Sequence, residues 1–263
     1  MIVNKVKEKV ANGEVTYGTL LSFPSTDMVR FFGLVGYDWV FIDAEHDPVS
    51  PETVARLVEA CHLVGITPFV RVPESTPGTI LRFLEAGAMG IIVPHLGDAA
   101  DAKAAVAAVR FGPEGERGAG STGRANDFGL TRTPAEYFEL ANSELWVWGL
   151  VEDSSGIGNL DEILAVEGLN VVGVGPGDLS MSLGMRGQAG HPKVRAMVEA
   201  ADRRIAKSDK HLMSLVITPE DNAAAVARGA QLILTNATPM LARACRTFLG
   251  ELRSASQPKR VPA

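Results

Sequence analysis

The chain has 263 residues, 46% hydrophobic and 21% charged, with a net charge of −6. This composition excludes a disordered chain, and the scattered Lys and Arg residues offer no basic face to a nucleic-acid backbone. No run reaches the ~20 apolar residues that a membrane helix needs. The N-terminal MIVNKVKEKVANGEV is charged and amphipathic without a signal-peptide core, so a cytoplasmic protein with neither membrane nor nucleic-acid partners is expected.

In chain order, short β-branched runs alternate with helical patterns. Strands are expected at 15–23 (VTYGTLLSF) and 39–46 (WVFIDAEH), followed by a helix at 51–65 with Ser50 as N-cap and Pro51 in its first turn. Strand 67–72 (TPFVRV) leads to helix 76–88, and strand 90–96 (GIIVPHL) to helix 98–110. An oversized connection, RFGPEGERGAGSTGRANDFGL, precedes a helix at 133–142. Strands 146–152 (WVWGLVE) and 171–177 (VVGVGPG) come next, then helix 192–208, strand 211–217 (HLMSLVI), helix 218–230, strand 232–238 (LILTNAT) and helix 238–254. Eight strand-then-helix units have the size and rhythm of a (β/α)8 TIM barrel of the α/β class, with a doubly wound sheet as the rival. One domain is expected over 1–254, with 255–263 as a tail. Cys61 and Cys245 form no CxxC pair and sit in apolar or amphipathic runs, which predicts two buried, reduced thiols.

In such a barrel the active site lies at the carboxyl ends of the strands. Polar residues gather there: Asp43, Glu45 and His46 after strand two, Arg71 after strand three, His95 after strand four, Glu152 and Asp153 after strand five, Asp178 after strand six and Asn236 after strand eight. Helix caps favour the same places. Glu152 and Asp178 stand out because they lie 26 residues apart, one strand-helix repeat, so neighbouring strands deliver two carboxylates to one spot. Paired hard oxygen ligands suit Mg²⁺ or Mn²⁺. The alternative is a glycosidase acid/base pair, against which stands an aromatic content of only 6%.

His46 can exchange a proton near neutral pH or be structural, and Asp43 either orients it or caps the loop. Strand alternation keeps Asp43, Glu45 and His46 from one ion unless the strand has already ended. Arg71, in an apolar strand, requires an anion: a bound carboxylate or enolate, or a protein Asp. Gly118 to Gly123 match GxGxxG but follow no strand and are flanked by Arg117 and Arg124, which points to a mobile, positively charged lid or inter-subunit loop rather than a dinucleotide site. The glycine pattern ending in Asp178 opposes phosphate, and TPEDN and NATPM lack a phosphate cup, so an unphosphorylated substrate is expected.

These motifs, in this order and spacing, resemble the HpcH/HpaI aldolase family of class II pyruvate aldolases. The resemblance runs through YDWVFIDAEHDPVS, FVRVP, EAGAMGIIVPHL, GPEGERGAGS, RANDFG, VEDSSGIGNLDEILAVEGLNVVGVGPGDLSMSLG and GHPKV. It implies a modified TIM barrel, assembled as a hexamer of three dimers that exchange their C-terminal helix. It implies Glu152 and Asp178 as ligands of Mg²⁺, Mn²⁺ or Co²⁺, with no organic cofactor. Arg71 would contact the pyruvate oxygens, His46 would be the acid/base with Asp43 supporting it, and Gly177 and Asp178 would offer backbone N–H groups to the substrate carboxylate. The implied reaction joins or splits 4-hydroxy-2-oxo acids or 2-keto-3-deoxy sugar acids through an enolate of pyruvate or a close 2-oxo acid, with an aldehyde as the other partner. Two positions depart from the pattern. Leu150 replaces a Gln two residues before the metal-binding Glu, and His95 stands where several relatives are nonpolar. The competing readings are an oxaloacetate decarboxylase or other carbon–carbon lyase or synthase on this scaffold, and a non-catalytic binder of 2-oxo acids.

Overall fold

Eight apolar runs become eight parallel strands, and the computed structural model, which describes residues 3–256, closes them into a barrel with β8 paired to β1. The strands are β1 (Thr16–Leu21), β2 (Trp39–Asp43), β3 (Thr67–Arg71), β4 (Gly90–Val93), β5 (Trp146–Val151), β6 (Val171–Val174), β7 (His211–Leu215) and β8 (Ala230–Asn236). Helices α1 (Lys5–Ala11), α2 (Thr26–Val35), α3 (Pro51–Val64), α4 (Pro77–Glu85), α5 (Ala99–Val109) and α6 (Pro134–Glu144) belong to the first half. The second half carries α7 (Ser154–Gly158), α8 (Leu160–Leu164), α9 (Pro176–Ser182), α10 (Pro192–Ile205), α11 (Pro219–Ala227) and α12 (Ala237–Ala255). The TIM-barrel expectation holds. Local chemistry starts the helices where expected: Ser50 caps α3 ahead of Pro51, and Thr133 and Thr218 close capping boxes with Glu136 and Asp221.

Alternation along each strand divides the apolar residues into two cores. Val40, Ile42, Val70 and Val147 face the helical layer. Trp39, Phe41, Phe69, Trp146 and Trp148 fill the interior, where Trp39 meets Trp148 edge-on with centroids 5.3 Å apart and Phe69 lies 4.4 Å from Trp148. Gly18 makes room for this layer, since a Cβ there would enter the Trp39 ring. Helix α1 plugs the amino-terminal end by sending Val6 and Val10 into the interior core, at about 1.5–3 kcal/mol for each buried side chain.

Two expectations are corrected. The Gly- and Arg-rich connection is no lid over the strand ends of its own barrel. Its Arg117, with a side chain 1% exposed, bonds Glu85 at the end of α4 (2.8 Å) and Tyr137 Oη (3.1 Å) and stacks over Phe111. Arg124 pairs with Glu59 of α3, so the segment lies on the outer helical layer. Cys61 is buried, with its thiol pushed well above the ordinary range by burial, but Cys245 is exposed on α12. Helix α12 runs to Ala255, and residues 257–263 of the expected tail lie outside the described residues.

Candidate active site

The interior parity that buries Trp39 and Phe41 on β2 also turns Asp43 inward, and the same rule applies to Phe69 and Arg71 on β3 and to Trp148 and Glu152 on and just beyond β5. Asp43 and Arg71 are direct register partners across β2 and β3. Arg71 donates Nε–H to Asp43 Oδ1 at 3.0 Å and a short second bond from Nη2 to Oδ2, while Nη1 stands 3.0 Å from Glu45 Oε2. Burial opposes the charge on Asp43, yet the guanidinium and the N–H groups of Glu45 and His46 outweigh it and hold the carboxyl below the usual aspartate range. Those two N–H bonds, 3.0 and 3.3 Å, end β2 at Asp43. The strand therefore stops three residues short of its expected end at 46, which frees Glu45 and His46 from alternation.

His46 is not oriented by Asp43 through its ring. The ring Nε2 lies 3.8 Å from Glu45 Oε2, and the side chain is 59% exposed at the mouth of the barrel. Asp43 instead serves Arg71 and the loop backbone, so of the two anions expected for Arg71 the protein Asp is present.

Glu152 is 3% exposed at the end of β5. Its Oε1 accepts the His95 backbone N–H at 2.9 Å, and on its other side a Cβ at residue 175 would collide with Oε2, so Gly175 provides the space the carboxylate needs. Burial pushes Glu152 above the ordinary glutamate range; His95 and Arg71 oppose the shift and Asp178 adds to it. Asp178, half-buried in the first turn of α9, is one of the charges that push Glu152 upward. Gly177 lies in the same turn, whose first peptide N–H groups have no acceptor within the helix. Asp153 and Asn236 are helix caps, of α7 and α12.

Two features went unread in the sequence. Glu45 is a hub, reaching Arg71, His46 and, at 3.3 Å, His95 Nε2. Its Oε2 is buried without a hydrogen bond. His95 adopts a left-handed backbone (φ 50°) that no pattern of apolar residues signals. Leu150 is buried in the interior core with Phe41, Met213 and Leu234, so hydrocarbon occupies the level beneath the site and the Arg71 guanidinium lies 5.4 Å from the Phe41 ring centroid.

The donor set fits a divalent cation. Asp43, Glu45 and Glu152 share the single Arg71 guanidinium and Asp178 acts on Glu152, leaving an excess of negative charge. Among the described residues no three His, Cys, Asp or Glu side chains form a complete cage. Two carboxylates nonetheless suit an ion such as Mg²⁺ that keeps waters and takes substrate oxygens.

Residues 18–239 match the profile of the HpcH/HpaI aldolase/citrate lyase family. The chain belongs to that family. Relatives include 2-keto-3-deoxy-L-rhamnonate aldolase of Escherichia coli, 34% identical over 242 residues that cover 92% of this chain and 90% of that one. Among solved structures, an HpcH/HpaI aldolase from Desulfitobacterium hafniense DCB-2 superposes with a TM-score of 0.88 at 28% identity, covering 97% of this chain and 98% of its own. Citrate synthase SbnG gives a TM-score of 0.85 at 32% identity, covering 95% and 97%. As a member of the HpcH/HpaI family the protein is an enzyme of the aldolase type, a carbon–carbon lyase.

Proposed function

We propose that the protein is a divalent-metal-dependent aldolase that cleaves or forms 4-hydroxy-2-oxo acids or 2-keto-3-deoxy sugar acids, with pyruvate or a close 2-oxo acid and an aldehyde as the other side of the reaction. The observation that carries this reading is the buried Glu152 beside Asp178, with Arg71 fixed in the same cluster. The name of the Escherichia coli relatives supports a deoxy sugar acid as substrate.

Glu152 and Asp178 would hold Mg²⁺, Mn²⁺ or Co²⁺, and when bound the ion supplies Lewis acidity toward a 2-oxo acid. Arg71, locked by Asp43 and Glu45, presents its guanidinium without rotamer freedom to the oxygen on which negative charge develops. The N–H groups of Gly177 and Asp178 are offered to the substrate carboxylate. His46, exposed at the mouth beside Glu45, takes and returns the proton of the C4 hydroxyl, directly or through water. The buried Lys210 precedes β7 at the opposite end of the barrel, away from any role as a Schiff-base amine here.

Chelation of the metal is expected to abolish cleavage, with Mg²⁺, Mn²⁺ or Co²⁺ restoring it. Glu152→Ala is expected to be inactive under every metal, and activity surviving in that variant overturns the assignment. His46→Ala should lose roughly 10²–10⁴ in aldol rate. A second reading, a lyase, decarboxylase or synthase acting on oxaloacetate, is favoured by the likeness to a citrate synthase. Oxaloacetate turnover without aldehyde cleavage would select it.

The assembly belongs to the same proposal: a hexamer of three dimers with exchanged C-terminal helices. From Arg243 to Ser256 every residue of α12 and its cap is exposed, including Phe248, Leu249 and Leu252. The helix leaves uncovered a groove of about 500 Å³ lined by Tyr17, Leu215, Ile217 and Met240, which supports cover by a second copy. A cytoplasmic setting remains part of the reading, in keeping with two cysteines carried as free thiols.

A further inference from the structure

We propose that His95 is a positioning residue that fixes the Glu152 carboxylate from one side and ties it to the Arg71 cluster; the inference rests on the metal-site reading of Glu152. Three observations converge. His95 has a left-handed backbone although it is not glycine, and that conformation aims its N–H at Glu152 Oε1, 2.9 Å away. The turn that holds this conformation is clamped to the strand carrying Glu152: Leu96 N–H donates to Leu150 O at 2.9 Å, the Leu96 side chain covers Gly149, and Asn159 Nδ2 donates to Gly97 O. The imidazole then spans two acids, with Nδ1 3.6 Å from Glu152 Oε1 and Nε2 3.3 Å from Glu45 Oε1.

The consequence is a continuous chain, Asp43–Arg71–Glu45–His95–Glu152, across the ends of β2, β3, β4 and β5. Glu152 is held at Oε1 by His95, and Oε2 occupies space that a side chain at position 175 would fill. Oε1 is thereby engaged by the protein, and Oε2 would be the oxygen available to a bound cation. Outer partners of this kind set ligand direction and tune affinity without touching the ion.

The test is Mn²⁺ binding to metal-stripped protein, read from the electron paramagnetic resonance signal of free Mn²⁺, together with the thermal melt. His95→Gly keeps the N–H and suits the left-handed backbone while deleting the ring. It is expected to stay folded and to bind Mn²⁺ about tenfold more weakly. His95→Asn, which tolerates that backbone and puts an amide where Nδ1 stands, is expected to recover most of the loss. Wild-type affinity in His95→Gly overturns the proposal, as does no recovery in His95→Asn. Nitrogen coupling from an imidazole bound directly to Mn²⁺ would make His95 a ligand and overturn it too. Unchanged binding in Glu152→Gln would instead remove the metal site on which the inference stands.

Discussion

Glu152 and Asp43 are both buried carboxylates, yet their environments push them in opposite directions. Burial raises Glu152, whereas Arg71 overcomes the burial of Asp43 and lowers it. For Asp43 the depressed value means that its ion pair supports the fold above the ordinary aspartate range and is lost only as pH falls through the lowered value. For Glu152 the sign reverses. In metal-free protein the native state binds a proton at a pH where the unfolded chain does not, so stability increases as pH falls through the raised value toward the ordinary one. Glu152→Gln carries no charge to bury. Urea midpoints measured from alkaline pH down toward the ordinary glutamate range should therefore show the variant ahead of metal-free wild type at the alkaline end, with the advantage shrinking on acidification. An advantage that does not vary with pH would contradict a raised value for Glu152.

The turn between β6 and α9 can be tested as an element, because its glycines differ in what surrounds them. Gly175 has an ordinary extended φ of −87°, so alanine would meet no backbone strain there, but its Cβ would strike both Glu152 Oε2 and Glu152 Cβ. Gly175→Ala is expected to cost about 1–3 kcal/mol of stability through overpacking and to displace the carboxylate. Gly177→Ala has open space around it and should leave the urea midpoint unchanged or slightly higher. Elements were also where the sequence was most readable. The repeated apolar runs and Ser, Thr and Pro start signals located all eight strands, because strand burial and helix capping are local effects. Strand ends were less so: β2 stops at Asp43 because its side chain bonds the next two free N–H groups, a choice visible only once Arg71 is paired beside it. His95 and Glu45 were placed at a strand end but their partnership was not, since it depends on one left-handed residue. Composition misdirected the reading of the Gly- and Arg-rich connection. Arginine count shows charge but not that Arg117 buries itself against Glu85 on the far side of the helical layer.

For the whole molecule, the exposed length of α12 is the least satisfied feature of a single chain. Isolated helices of this length are marginal in water, and its apolar side chains gain cover only from another surface. A chain ending at Ala242 is expected to elute as a smaller species than the full chain in size-exclusion chromatography with light scattering, and the melting temperature of the full chain should rise with protein concentration. Equal masses for the two chains would argue against helix exchange. The barrel interior, by contrast, is closed off from such events. All three tryptophans, Trp39, Trp146 and Trp148, lie in the layer between the α1 plug and the Leu150 level, and α12 contains none. The molecule thereby carries an optical probe confined to one compartment: its emission shifts when water enters the barrel and stays silent to events at the surface of α12.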